Sequence, residues 1–314
     1  MAECNNSRTW YNAVINNQTK VHDHFYKTIL PRDRVVVLMY HDIVSSKKEI
    51  HSAGDVSFYQ FKTQMNFMKK KGYTPISVSD YHKYLGGEIP HLPVKPFIVT
   101  MDDGYSGNCK SELIDFLLDE EIPTTFFVHT KYVGVGKHPN RPYSKSRCSY
   151  ADWQRVINLN PENSPLFSVQ SHTVSHKELG SIQENQFQRV LKLDNPKQKL
   201  ICSNYSRFDF SKYFNTYKLD LELFCSRQSI ENNLFNYGAN CAQYVTSIAY
   251  PRGDYNTNTI QFVKKYYGLG FTVAKSKKIT NFNIPRFGVG SRLSHIHEFE
   301  HNLNLWKKSL DIRY

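Results

Sequence analysis

The stretch FIVTMDDGY, residues 97 to 105, decides how the rest of the chain is read. Phe97, Ile98, Val99, Thr100 and Met101 make a short run with no polar alternation. A strand needs such a run when both of its faces are covered, as in a parallel sheet packed by helices. The run ends on two adjacent carboxylates, Asp102 and Asp103, followed by Gly104 and Tyr105. Barrel enzymes place their chemistry at the C-terminal ends of such strands. Adjacent residues at a strand end point in different directions, so one carboxylate can bind a metal while the other faces a substrate. Gly104 permits a tight turn that turns backbone N–H groups toward an oxyanion.

Outward from this stretch the same alternation recurs. Residues 35 to 40 (VVVLMY), 124 to 128, 167 to 169, 245 to 250, 271 to 274 and 284 to 288 read as further strands. Between them, Phe58, Phe61, Met65 and Met68 repeat at helical spacing before the stop signal of Gly72 and Pro75. Leu113, Phe116 and Leu117 form another stripe, and residues 153 to 159, Ile230 with Leu234, and Ile260, Val263 and Tyr267 mark further helices. About seven strands with intervening helices imply one α/β barrel-like domain. Residues 1 to 34 precede the pattern as an N-terminal extension, and residues 35 to 314 form the catalytic barrel. Residues 181 to 218, rich in Lys, Asn, Gln, Tyr and Ser, read as an insertion on its rim.

Three other strand ends carry polar groups suited to chemistry. The segment SHTVSH, residues 171 to 176, puts His172 and His176 four apart, on one face if it is helical. With Asp103 they form a set of two histidines and a carboxylate that leaves positions open for water and substrate, as a hydrolytic metal site requires. His41-Asp42 follows the 35 to 40 strand and suits a general acid oriented by a carboxylate. Tyr250-Pro251-Arg252-Gly253 follows the 245 to 250 strand and by itself signals only a turn.

The chain has 314 residues, 40% hydrophobic and 14% aromatic, which suffices for a packed core. Its net charge of +12 would attract an acidic glycan, nucleic acid or a membrane surface, but the basic residues are dispersed. No nucleic-acid recognition motif accompanies them. No apolar run has the length of a transmembrane helix. The first 20 residues lack a secretory signal, so a cytoplasmic location is expected. The cysteines Cys4, Cys109, Cys148, Cys202, Cys225 and Cys241 form no CxxC pair and are expected to be reduced, mostly buried thiols.

The order TMDDGY (residues 100 to 105), SHTVSH (171 to 176) and AYPRGDYN (249 to 256) resembles the NodB-type polysaccharide deacetylases, carbohydrate esterase family 4. The early strand LMYHDIV (38 to 44) is similar to a circularly permuted branch that includes poly-N-acetylglucosamine deacetylases. The resemblance covers about residues 35 to 290 and implies a deformed (β/α)7 barrel. It implies a divalent metal ion, Zn²⁺ foremost, held by Asp103, His172 and His176. It makes Asp102 the general base for the hydrolytic water and His41 the proton donor to the departing amine. The backbone N–H of Tyr105 would help hold the oxyanion, and Asp152-Trp153 resembles the segment lining the acetyl pocket.

The chain departs from the family at Met101, where Phe is usual, and at Ala249 and Tyr250, where an Arg that orients the base often stands. Arg286 could supply that charge from a neighbouring strand. His295, in LSH at 293 to 295, is a rival proton donor. The reading is a metal-dependent N-deacetylase of an N-acetylated sugar or polysaccharide precursor in surface-glycan biosynthesis. Trp153, Tyr105, Tyr250 and Pro251 are expected at the substrate cleft, where flat rings stack on sugar faces. The rivals are an amidase of the same fold with a non-carbohydrate substrate and a non-catalytic glycan-binding homologue.

Overall fold

The computed structural model describes residues 28–30, 33–137, 145–161, 166–182, 202, 218–234, 245–276, 278–293 and 295–312. Most of the 181 to 218 segment and nearly all of the N-terminal extension lie outside the described residues.

In chain order the strands are β1 (Val36–Tyr40), β2 (Asp42–Val44), β3 (Asp55–Ser57), β4 (Thr74–Pro75), β5 (Pro96–Asp102), β6 (Thr124–Val128), β7 (Phe167–Ser171), β8 (Ser247–Ala249), β9 (Leu269–Thr272), β10 (Ile284–Pro285) and β11 (Phe287–Gly288). The helices are α1 (Phe58–Lys70), α2 (Val78–Gly86), α3 (Ser111–Asp119), α4 (Tyr150–Ile157), α5 (Lys218–Leu234), α6 (Thr257–Tyr266) and α7 (Ile296–Ser309). One sheet runs in the order β10-β9-β8-β7-β6-β5-β1-β11, with β4 on β5, and its pairings are parallel.

The two ends of this path, β10 and β11, are separated by Arg286 alone. Residues 284 to 288, expected as one strand, therefore pair with β9 on one side and with β1 on the other. This handover nearly closes the sheet into the deformed barrel, and it sends the Arg286 side chain into the interior. The helices start where the sequence supplies caps: Ser57 with Gln60 for α1, Ser149 with Asp152 for α4, and Asn256 with Thr259 for α6. Asp152, in the segment compared with the acetyl pocket, is thus spent on the start of α4.

Burial follows the reading of the strands. Every residue of β5 and of β6 is buried, as continuous apolar runs demand. Ile29, Asp33 and Arg34 are also buried, and Thr28 bridges to Thr280, so the end of the extension packs on the barrel. Among the described residues, no helix is long and apolar enough to cross a membrane.

The cysteine reading is overturned. Cys109 is bonded to Cys148 and Cys202 to Cys225, and no described cysteine is free. Spacing hid both pairs, because 39 and 23 residues of chain separate partners that only the folded barrel brings together.

Candidate metal centre and active site

The turn after β5 separates its two carboxylates. Asp103 has φ +71° and Gly104 φ +64°, two consecutive left-handed residues. A Cβ at Gly104 would also stand 3.0 Å from Val128 Cγ1, so glycine fits there on two counts. Asp102 stays at the end of the strand, buried, in a two-pronged pair with Arg286. Nη1 donates to Oδ1 at 2.7 Å and Nη2 to Oδ2 at 2.6 Å. Arg286 Nη1 also donates to Thr100 Oγ1 at 3.2 Å, so the strand itself aims the guanidinium. Burial pushes the Asp102 carboxyl up, but Arg286, with His172 and His41, more than offsets this and leaves it below its usual range. Asp102 is therefore ionised.

Asp103 turns toward three histidines. Its Oδ1 is buried without a hydrogen bond and lies 3.3 Å from His176 Nε2, 3.5 Å from His172 Nε2 and 3.7 Å from His129 Nε2. The first two separations suit donors that share one ion, since ligand atoms about 2.1 Å from a Zn²⁺ ion stand roughly 3 to 4 Å apart. The ligand atoms of Asp103, His172 and His176 all lie within 4.8 Å of one another. His172 Nδ1 donates to the Ala249 carbonyl at 2.8 Å, which leaves the Nε2 lone pair facing inward. Burial lowers the His172 pKa despite the two aspartates, so its imidazole is neutral. A buried, unpaired carboxylate oxygen beside neutral imidazole nitrogens fits a borderline divalent cation such as Zn²⁺.

His172 and His176 do not share a helical face. The segment bends, with Thr173 at φ +68° and His176 at φ +60°, and these reversals bring the rings to 4.9 Å between centroids. Together with Asp103 and Arg252 (φ +55°), they put four of the seven non-glycine positive-φ residues described in the three motif loops. Such conformations cost energy and cluster where a side chain must be aimed.

The two candidate proton donors are placed differently. His41 follows β1, with Gly54 packed against its ring and Nδ1 buried without a partner. It is close enough to both aspartates to lower their pKa values. His295 is exposed at the start of α7, its backbone N–H donating to Glu298 Oε2 at 3.2 Å.

The aromatic expectation divides. Tyr105 is half-buried, its hydroxyl pushed up in pKa by burial and by the Asp103 carboxylate, and its ring centroid lies 3.7 Å from the Arg147 guanidinium carbon. Trp153 and Tyr250 are fully buried, so neither ring is open to stack on a sugar. Trp153 lies under the Gly104 turn against Phe126, with ring centroids 4.9 Å apart. The Tyr250 hydroxyl donates to the Phe282 carbonyl at 2.8 Å, and Pro251 is buried beside it.

The sequence reading missed His129. It follows β6 directly, in TTFFVHT, so the strand-end logic applied to the other motifs would have found it. It is buried, Nδ1 has no partner, and burial pushes its pKa down to about 3.

Residues 91–204 match the family model described as polysaccharide deacetylase. That span takes in Asp102, Asp103, His129, His172 and His176 and leaves out His41 and Arg286. No curated protein sequence matches the chain. Among solved structures, the Streptococcus pyogenes deacetylase PplD in complex with acetate is 19% identical, with a TM-score of 0.57 over 86% of this chain and 98% of that one. IcaB from Ammonifex degensii is 20% identical, with a TM-score of 0.56 over 88% and 97%. The BpsB deacetylase domain of Bordetella bronchiseptica is 16% identical, with a TM-score of 0.53 over 84% and 96%. At these identities the structures speak for the fold alone, and the family model speaks for residues 91–204 alone. Residues 91–204 are thus similar to polysaccharide deacetylases.

Proposed function

We propose that this chain is a metal-dependent N-deacetylase that hydrolyses the acetamido group of an N-acetylated sugar or polysaccharide precursor in surface-glycan biosynthesis. The observation that carries the reading is the convergence of His172 and His176 on Asp103 Oδ1, beside an Asp102 fixed by Arg286. Asp103, His172 and His176 would hold the ion. A divalent cation there, Zn²⁺ foremost, would supply Lewis acidity toward the acetyl carbonyl and the attacking water.

The chain's own groups supply the proton traffic. Asp102 accepts the proton of the attacking water, held in line by the guanidinium. The Tyr105 backbone N–H steadies the developing oxyanion. His41 gives a proton to the departing nitrogen, without which an amine is a poor leaving group. The dispersed positive charge favours an acidic saccharide over a neutral one. The two disulfides support an oxidising compartment as the working environment, in place of the cytoplasm expected from the sequence.

The test is acetate release from N-acetylglucosamine oligomers by protein stripped with a chelator and then reloaded. Activity should vanish and return with Zn²⁺ or a similar ion. Asp103→Ala and His172→Ala should lose the metal, whereas Asp102→Asn should keep it and lose about 10²-fold or more in kcat. His41→Ala should cripple turnover with normal metal content, and His295→Ala should change little. Full activity after exhaustive metal removal would end this reading.

A further inference from the structure

The loop that carries His172 and His176 is gripped from outside the barrel. Glu222 of α5 is fully buried, and Oε2 of its carboxylate accepts from the backbone N–H of Val174 at 3.0 Å and of Ser175 at 2.9 Å. The Ser175 hydroxyl donates to Oε1. These three donors lie between the two histidines in sequence. One helical turn further on, Ser226 stands on the same face of α5. Its Oγ is 2.8 Å from Ser171 Oγ and donates to the Thr173 carbonyl at 3.0 Å. The grip holds Thr173, one of the two left-handed residues that set the angle between the rings, and the two residues that lead to the other, His176.

We propose that Glu222 is a positioning residue for the metal centre: it holds residues 174 and 175 so that His172 and His176 face Asp103 before any ion arrives. This rests on the reading of Asp103, His172 and His176 as ligands. A backbone that must pass twice through a disfavoured region would otherwise relax, and the ion would have to order it on binding. Neither Glu222 nor Ser226 touches the ligand atoms, so the effect acts through the backbone they hold. Partners of this kind typically change metal affinity by about 10 to 100-fold when removed.

The experiment is calorimetric titration of Zn²⁺ into metal-stripped wild type, Glu222→Ala and Glu222→Gln, with thermal unfolding of each in metal-free and loaded form. Glu222→Ala should bind Zn²⁺ about 10 to 100-fold more weakly and gain less in Tm on loading, and saturating Zn²⁺ should restore its kcat. Glu222→Gln, which keeps a carbonyl acceptor, should fall between the two. A merely structural role would lower Tm equally with and without metal and leave the Zn²⁺ affinity unchanged, and that result would overturn the proposal. Should Glu222→Ala fail to fold, Ser175→Ala and Ser226→Ala each remove one arm of the grip. Both should weaken Zn²⁺ binding by a few-fold, and unchanged affinity in both would overturn the proposal as well. A wild-type protein that binds no Zn²⁺ would instead bring down the metal-centre reading itself, and this inference with it.

Discussion

The turn after β5 is held by charge, whereas the loop after β7 is held largely by hydrogen bonds, and burial keeps its His172 imidazole neutral. On the first side Asp102 is locked to Arg286, and the following turn is tied through Cys148, whose N–H donates to the Gly104 carbonyl at 3.0 Å and whose sulfur is bonded to Cys109. On the second side the Ala249 carbonyl takes the His172 Nδ1 proton, and Ser171, Ser226 and Tyr267 tie down the backbone. The difference matches what each group has to do. A general base must be ionised and aimed, and a two-pronged ion pair secures both. A histidine ligand must stay neutral with one lone pair exposed, and a carbonyl acceptor fixes its tautomer without adding charge.

The charged side should be the more costly to break. Arg286→Gln leaves Asp102 buried without its cation and should lower stability by about 3 to 5 kcal/mol in urea unfolding. Adding Asp102→Asn should recover part of that loss, because no charge is then stranded. A loss well under 1 kcal/mol in the single variant would mean that the pair does not anchor the turn. Replacing Cys109 and Cys148 together by serine should cost about 2 to 4 kcal/mol, the usual range for a disulfide closing a loop. The neutral side should give way more gently. The Tyr267 hydroxyl donates to the Leu223 carbonyl at 2.6 Å and stands 2.9 Å from Ser171 Oγ. Tyr267→Phe should cost about 1 to 1.5 kcal/mol, measured in the same way.

The same division explains what the sequence could show. Strand cores and the residues just after them were legible, because a buried parallel strand leaves an unbroken apolar run and a polar group at its end is conspicuous. Asp102, Asp103, His172 and His176 come together on that logic alone. Long-range closure was not legible. Nothing local in IPRF announces that the strand splits around Arg286, since the split depends on which neighbours β10 and β11 meet. The disulfides and Glu222 were hidden for the same reason, as each acts on a segment distant in the chain. Trp153 and Tyr250 misled because aromatic character fits a core as well as a sugar face, and only burial tells the two apart.

Acid offers the finest way to separate the two sides. In metal-stripped protein His129 has a folded pKa of about 3, well below the roughly 6.5 expected for the unfolded chain. Between those values the unfolded state binds more protons than the folded one, so stability falls as pH drops below about 6.5. His172 is shifted in the same direction. Asp102 is also lowered, but its unfolded value is near 3.9, so its stabilising contribution is full above that pH and is lost only in stronger acid. Acidification should therefore strain the histidine side first and the Asp102–Arg286 side last. For His129 alone the loss at pH 6 relative to pH 8 is about 0.8 kcal/mol, given one proton and an unfolded pKa near 6.5. The measurement is urea unfolding at pH 8, 7, 6 and 5 in the presence of a chelator, on wild type and His129→Gln. The variant should show a shallower decline from pH 6.5 down to pH 5, where only the unfolded wild type gains the His129 proton. Parallel curves over the whole range would show that His129 is protonated as readily in the folded chain as in the unfolded one, and the contrast between a charged and a neutral side would fail at that residue.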